Sequence, residues 1–206
     1  MPLTTTPAGL VVLPGAGGDR DQPALVAIER DLAQAAPNLR VVRAHFANRD
    51  AGKKGPERPA VAVAHVAALV SELARELDVP TSRIAVGGRS FGGRMASMAV
   101  ADGLAVAGLL LLSYPLHPPG RPENLRTDHL GAITAPTLAV TGERDPFGTP
   151  TEMREHLAAI TGPTEIVLVP GNHSPALGPV LAAVRAWVGA SAQWPRLPAG
   201  ESKVAR

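Results

Sequence analysis

The sequence predicts a single α/β domain built on a mostly parallel sheet with helices on both faces. Three observations predict it. Short apolar runs alternate with longer stretches of helical period along most of the 206 residues. The runs are near-continuous in Val, Leu, Ile and Ala, the pattern of strands covered on both faces. The chain is also long enough to bury one sizeable core, and 45% hydrophobic content is ordinary for a globular domain.

Taken in order, the first strand is expected at Gly9 to Leu13. A glycine-rich turn, LPGAGGDRD, separates it from a helix at Pro23 to Ala35, where the proline suits the first turn. The second strand, Leu39 to His45, leads into the polar stretch NRDAGKKGPERP, read as a solvated excursion, with recruitment of an acidic partner as the alternative. A helix at Pro59 to Leu77 returns the chain to a third strand at Arg83 to Val86, which runs into VGGRSFGG and a helix at Phe91 to Asp102. The fourth strand, Val106 to Leu112, opens onto Ser113 to Pro136, the one segment long enough to lean over a site. A fifth strand at Thr137 to Thr141, a helix at Thr151 to Ile160 and a sixth strand at Glu165 to Val169 follow. The last helix is expected at Pro175 to Val188, with Ser174 as its N-cap. Residues 1–189 are thus one domain, and 190–206, which lose all periodicity, are expected to be a mobile tail.

Composition narrows the function. Without cysteine there is no disulfide, no thiolate metal site and no thiol nucleophile. Aromatic content of 3% and a formal charge of only +2, scattered along the chain, argue against a nucleic-acid platform and for a small-molecule partner. The opening MPLTTTPAGL lacks a basic region followed by a long apolar stretch, and no run reaches the length of a membrane span. A cytoplasmic protein with no cofactor and no membrane partner is expected.

In parallel sheets of this kind ligands bind at the carboxyl ends of the strands, so the loops there carry the chemistry. After the third strand, Gly88, Arg89, Ser90, Phe91 and Gly92 spell G-x-S-x-G between a strand and a helix, the context of a nucleophile elbow. After the fifth, GERDPFG supplies Asp145, with Glu143 in reserve; Asp145 before Pro146 is also an ordinary turn residue. After the sixth, PGNHSP supplies His173. The five other histidines lie within helical patterns, at the end of the second strand or in the segment after the fourth. Ser90, Asp145 and His173 follow one another as nucleophile, acid and base, each just past a different strand. After the first strand, the backbone of the glycine turn is placed to supply an oxyanion donor from Ala16, or failing that Gly17, beside the Phe91 N–H. A dinucleotide loop would need glycine where Arg20 stands and an acidic residue after the second strand, and a Walker loop would need glycine at Ala47. Neither is met.

Together these segments, with LHPPGRPENLRTDHL at 116–130, resemble the α/β-hydrolase superfamily over roughly residues 9–188. More narrowly they are similar to its small dienelactone-hydrolase-like branch, which includes the testis-expressed hydrolase-like proteins and the hydrolase-like domain of an NSL chromatin-complex subunit. The resemblance implies a three-layer α/β/α sandwich without a cap domain, a six-stranded sheet in the order 2-1-3-4-5-6, and a Ser-His-Asp triad at Ser90, His173 and Asp145. Two departures stand out. Pro14 replaces the histidine that many relatives carry in the first glycine turn, and the cysteine nucleophile of dienelactone hydrolases proper is absent, so serine must serve.

The function expected is cleavage of a carboxylic ester or thioester through an acyl-enzyme. The alternative is a hydrolase-fold interaction module with little or no turnover. A peptidase would share the triad, but no segment marks a peptide-binding domain. Arg89, Arg121 and Arg126 are read as solvated surface arginines, with attraction of an anionic acyl group as the other reading.

Overall fold

Six strands, β1 (Gly9–Leu13), β2 (Arg40–Arg43), β3 (Ile84–Arg89), β4 (Gly108–Leu112), β5 (Thr137–Gly142) and β6 (Thr164–Val169), pair in one sheet ordered β2-β1-β3-β4-β5-β6. Every pairing is parallel. The computed structural model describes residue 3 and residues 6–50, 52–53 and 55–189, so the tail expected at 190–206 lies outside the described residues. Among the described residues four α-helices lie between strands, α1 (Pro23–Ala35), α2 (Pro59–Glu76), α3 (Phe91–Ala101) and α4 (Pro150–Leu157), and α5 (Leu177–Trp187) follows β6.

The near-continuous apolar runs are explained by burial on both faces. Along β4, Leu109 and Leu111 enter a core shared with α2, α3 and α4, while Leu110 and Leu112 enter a second core shared with α1 and α5. Period-two alternation sends neighbours to opposite faces, so a strand with a core on each side has no polar position to spare. The sheet is therefore the middle layer of a three-layer sandwich. No helix among the described residues is long and apolar enough to cross a membrane.

The structure departs from the expected elements in instructive places. β3 runs through Gly87 and Gly88 to Arg89, because both glycines keep their ladder positions opposite Leu110 and Leu111 of β4. β2 and β4 are shorter than expected, at Arg40–Arg43 and Gly108–Leu112. α4 begins one residue early, at Pro150, under a complete capping box: Thr149 Oγ1 accepts from the Glu152 N–H, and the Glu152 carboxylate accepts from the Thr149 N–H. α5 begins two residues late, and Ser174 is not its N-cap; Ala176 holds that position without a side-chain bond. The Ser174 hydroxyl is instead engaged by Arg89.

Candidate active site

The site is built where the loops after β1, β3, β5 and β6 meet at the carboxyl edge of the sheet. Ser90 sits between β3 and α3 with φ 50° and ψ −114°, a backbone conformation that costs a non-glycine residue about 1–3 kcal/mol and persists only when its surroundings impose it. They do so here by crowding. A Cβ on Gly88 would fall 2.2 Å from the Leu13 carbonyl oxygen, and one on Gly92 2.6 Å from the carbonyl oxygens of both Leu13 and Pro14. Only glycine at these two positions lets β3 and α3 close on β1 around the serine. Ser90 is pinned from both sides, its N–H donating to the Leu112 carbonyl at 2.8 Å and its carbonyl accepting from the Arg94 N–H at 3.0 Å.

Asp145, 2% exposed, lies in the loop after β5. Its carboxylate accepts from the Phe147 N–H at 2.9 Å and from Thr141 Oγ1 at 3.5 Å. The loop is drawn against the one after β6: Arg144 N–H donates to the Gly171 carbonyl at 2.9 Å, and a Cβ on Gly142 would fall 2.2 Å from the Asn172 carbonyl oxygen. This close approach places His173 over the acid. His173 Nδ1 stands 3.0 and 2.9 Å from the two Asp145 oxygens, and His173 Nε2 stands 2.9 Å from Ser90 Oγ. A carboxylate can only accept, so Nδ1 carries the proton and Nε2 is left as the acceptor for the Ser90 hydroxyl.

The structure thus brings Ser90, Asp145 and His173 together. Glu143, the reserve acid, is exposed and its side chain has no hydrogen bond to His173. The other histidines are engaged elsewhere: His45 with Arg20 and Asp50, His65 with the His45 carbonyl, His117 with the Pro118 carbonyl and His129 with Ser97. His156 lies in α4. At the first glycine turn, Gly15 N–H donates to Gln22 Oε1 at 3.0 Å, which commits that amide and leaves Ala16 and Gly17 as the expected donors. Phe91 is held edge-on against Phe46, with ring centroids 5.1 Å apart, at the N-terminus of α3, whose free amides and dipole favour a developing negative charge.

Two residues beside the site carry more than their sequence contexts suggested. Arg89 is not a solvated arginine: its Nη2 donates to the His173 carbonyl at 2.9 Å and to Ser174 Oγ at 2.7 Å, and burial pulls its pKa down against a smaller opposing pull from Asp145. Strand parity was the available signal, since position 89 shares a face with buried Ala85 once β3 is continued through its glycines. Phe147 stacks on the His173 imidazole with centroids 4.1 Å apart, and nothing in GERDPFG marks it beyond its rarity among three phenylalanines. Of the other two arginines, Arg121 is exposed, whereas Arg126 is half-buried and its pKa is lowered, first by burial and then by Arg94. The segment after β4 is tied down by Ser97–His129 at 2.7 Å, Tyr114 Oη to the Arg126 carbonyl at 2.7 Å and His117 N–H to the Phe147 carbonyl at 3.2 Å.

Comparison with known proteins agrees with this architecture. No curated protein matches the sequence. Among solved structures, the chain is similar to a dienelactone hydrolase from Anabaena variabilis at 18% identity and TM-score 0.68, over 90% of this chain and 84% of that one. It is similar to Est1E from Butyrivibrio proteoclasticus at 19% identity and TM-score 0.68, over 88% and 87% of the two chains. The type II thioesterase BorB of the borrelidin biosynthetic cluster matches at 20% identity and TM-score 0.59, over 89% and 94%. At such identities the likeness establishes a shared fold. The family described as alpha/beta hydrolase domain matches residues 7–177, most of the described sandwich. This chain, with its 2-1-3-4-5-6 parallel sheet and a strained serine at the β3–α3 turn, therefore belongs to the alpha/beta hydrolase domain family.

Proposed function

We propose that the protein is a serine hydrolase that cleaves a carboxylic ester or thioester through an acyl-enzyme. The observation that carries this reading is the continuous hydrogen-bonded line from Ser90 Oγ through the His173 imidazole to the buried Asp145 carboxylate, each step near 2.9 Å. In this scheme Ser90 Oγ attacks the carbonyl carbon as its proton passes to His173 Nε2. Asp145 holds the imidazole in the required tautomer and stabilises the imidazolium. His173 then returns the proton to the leaving alkoxide or thiolate, and the acyl group stays on Ser90. Water, deprotonated by the same nitrogen, releases the acid and restores the serine. The Phe91 and Ala16 amides hold the oxyanion at each tetrahedral stage, a contribution of about 2.7–4 kcal/mol per donor in a comparable enzyme. The esterase and thioesterase among the structural neighbours accord with this substrate class.

The test is labelling with an alkyl fluorophosphonate together with turnover of an ester and thioester panel. Wild-type protein is expected to be labelled on Ser90, Ser90→Ala to take no label, and turnover to fall by on the order of 10³ or more in that variant. Wild-type protein that takes no label and hydrolyses nothing in the panel would favour the interaction-module reading.

A further inference from the structure

A cavity of about 290 Å³ lies on the α1 and α5 side of the sheet, bounded by Arg89 and Ser174, the chain neighbours of Ser90 and His173. Its walls are mostly apolar, with Pro23 and Ala24 from the first turn of α1, Leu112 and Val140 from the ends of β4 and β5, and Leu177 and Val180 from α5; Gln22 and Ser113 add neutral polar groups. It flanks the proposed chemistry through the chain itself. Arg89 and Ser174, which also line it, are the immediate neighbours of Ser90 and His173, and Leu112 offers its carbonyl to the Ser90 N–H.

We propose that this cavity is the acyl subsite, taking a short, uncharged aliphatic acyl chain from an ester whose carbonyl sits at Ser90. The inference rests on the serine-hydrolase reading and adds the substrate's acyl class. Size sets the length: about 290 Å³ is at the lower edge of the roughly 300–1,000 Å³ of small-molecule sites, which suits a few methylenes and excludes a long fatty chain. Polarity sets the charge. Arg89 is the one cation in the lining, and both N–H groups of its Nη2 are committed to the His173 carbonyl and Ser174 Oγ. A carboxylate entering the cavity would lose its hydration without gaining that pair of donors. Arg89 Nη1 lies against Gly15, where a Cβ would fall 2.8 Å away, so the guanidinium forms the threshold between the glycine turn and the His173 loop.

Nitrophenyl esters from acetate to dodecanoate, with a succinyl monoester added, test the assignment. Wild-type kcat/KM is expected to rise about fourfold per methylene from acetate to about hexanoate and then to fall. Ala24→Phe, which fills the cavity from a half-exposed helix position, is expected to abolish that rise, costing hexanoate turnover far more than acetate turnover; Leu177→Ala should move the optimum to a longer chain. Equal loss at every chain length in Ala24→Phe, or preference for succinyl over butyryl esters in the wild type, would overturn it. Binding of linear alcohols from butanol to decanol to Ser90→Ala protein, followed by NMR, is independent of turnover. Chain-length-dependent binding that Ala24→Phe removes supports the subsite even if Ser90 takes no phosphonate label, whereas binding that this variant leaves intact overturns it.

Discussion

The guanidinium of Arg89 donates to the backbone carbonyl of His173, so the residue before the elbow serine fastens the loop that presents the imidazole to it. A charge-assisted bond of this kind contributes about 1.5–3 kcal/mol. Arg89→Met keeps the apolar stem and removes the donors. Its kcat is expected to fall about 10- to 100-fold with little change in KM, while Arg89→Lys recovers part of the loss. The low-field proton resonance of His173 Nδ1 should broaden or vanish in Arg89→Met, and an unchanged resonance would show that the clamp does not hold the ring.

Phe147 covers one face of the same imidazole at 4.1 Å. Aromatic pairs of this geometry are worth about 0.5–1.5 kcal/mol beyond area burial. Phe147→Leu, which keeps the site dry but removes the stack, is expected to lower kcat about two- to tenfold. Thermal unfolding should move little, since Phe147 is only half-buried.

The Thr149–Glu152 capping box opens α4, a helix of 8 residues. Losing such a cap costs about 0.5–2 kcal/mol, so Thr149→Ala should lower the midpoint in urea without changing the denaturant slope. The hydrogen bonds from Thr149 also hold the Glu152 pKa below its ordinary value. That stabilisation is fully present above the unfolded carboxylate value and is lost as pH falls through the depressed folded one. The stability gap between wild type and Thr149→Ala should accordingly narrow in acid.

His129 responds in a different window. Burial first, then the Arg94 charge, lowers its pKa, with Asp128 and Asp102 opposing more weakly. Between its depressed folded value and the ordinary value near 6.5 the unfolded chain binds the extra proton, so stability rises with pH across that window. His129→Gln, which retains a partner for Ser97, should flatten the change in melting temperature from pH 7 downward through that interval. An identical slope in wild type and variant would refute the assignment.

Gly88→Ala is expected to give no soluble folded protein, because its Cβ would lie 2.2 Å from the Leu13 carbonyl oxygen in the adjoining strand. Expression of Gly88→Ala beside Gly103→Ala provides the check. Gly103 has a positive φ, of 101°, which Gly88 does not, and its Cβ would meet nothing within 4 Å, so only strain, not collision, attends that change.

Strands and helices were legible in the sequence because burial on two faces leaves a pattern in hydropathy. α1 matches its expected range of Pro23 to Ala35, and the strand order matches the one implied by the family resemblance. The end of β3 was not legible, since Gly87 and Gly88 read as turn residues while their carbonyls and amides stay in the ladder. Ser90, Asp145 and His173 could be assigned to loops, but their spacing in space depends on how two loops close over Gly142. Ser174 misled for a related reason: a hydroxyl directly before Pro175 looks like a cap, but α5 starts three residues later and the hydroxyl's partner, Arg89, is 85 residues away in the chain. Hydropathy reports which face is buried; it carries no record of where a loop side chain turns.

The Ser90–His173 contact spans 83 residues of chain, with Ser90 following an interior strand and His173 following β6, one of the two edge strands. Four neighbouring strands must therefore be in register before Ser90 Oγ meets His173 Nε2. Recovery of the proposed hydrolysis during refolding would then time the docking of the final strand, and a chain stopped before residue 164 would carry Ser90 without His173.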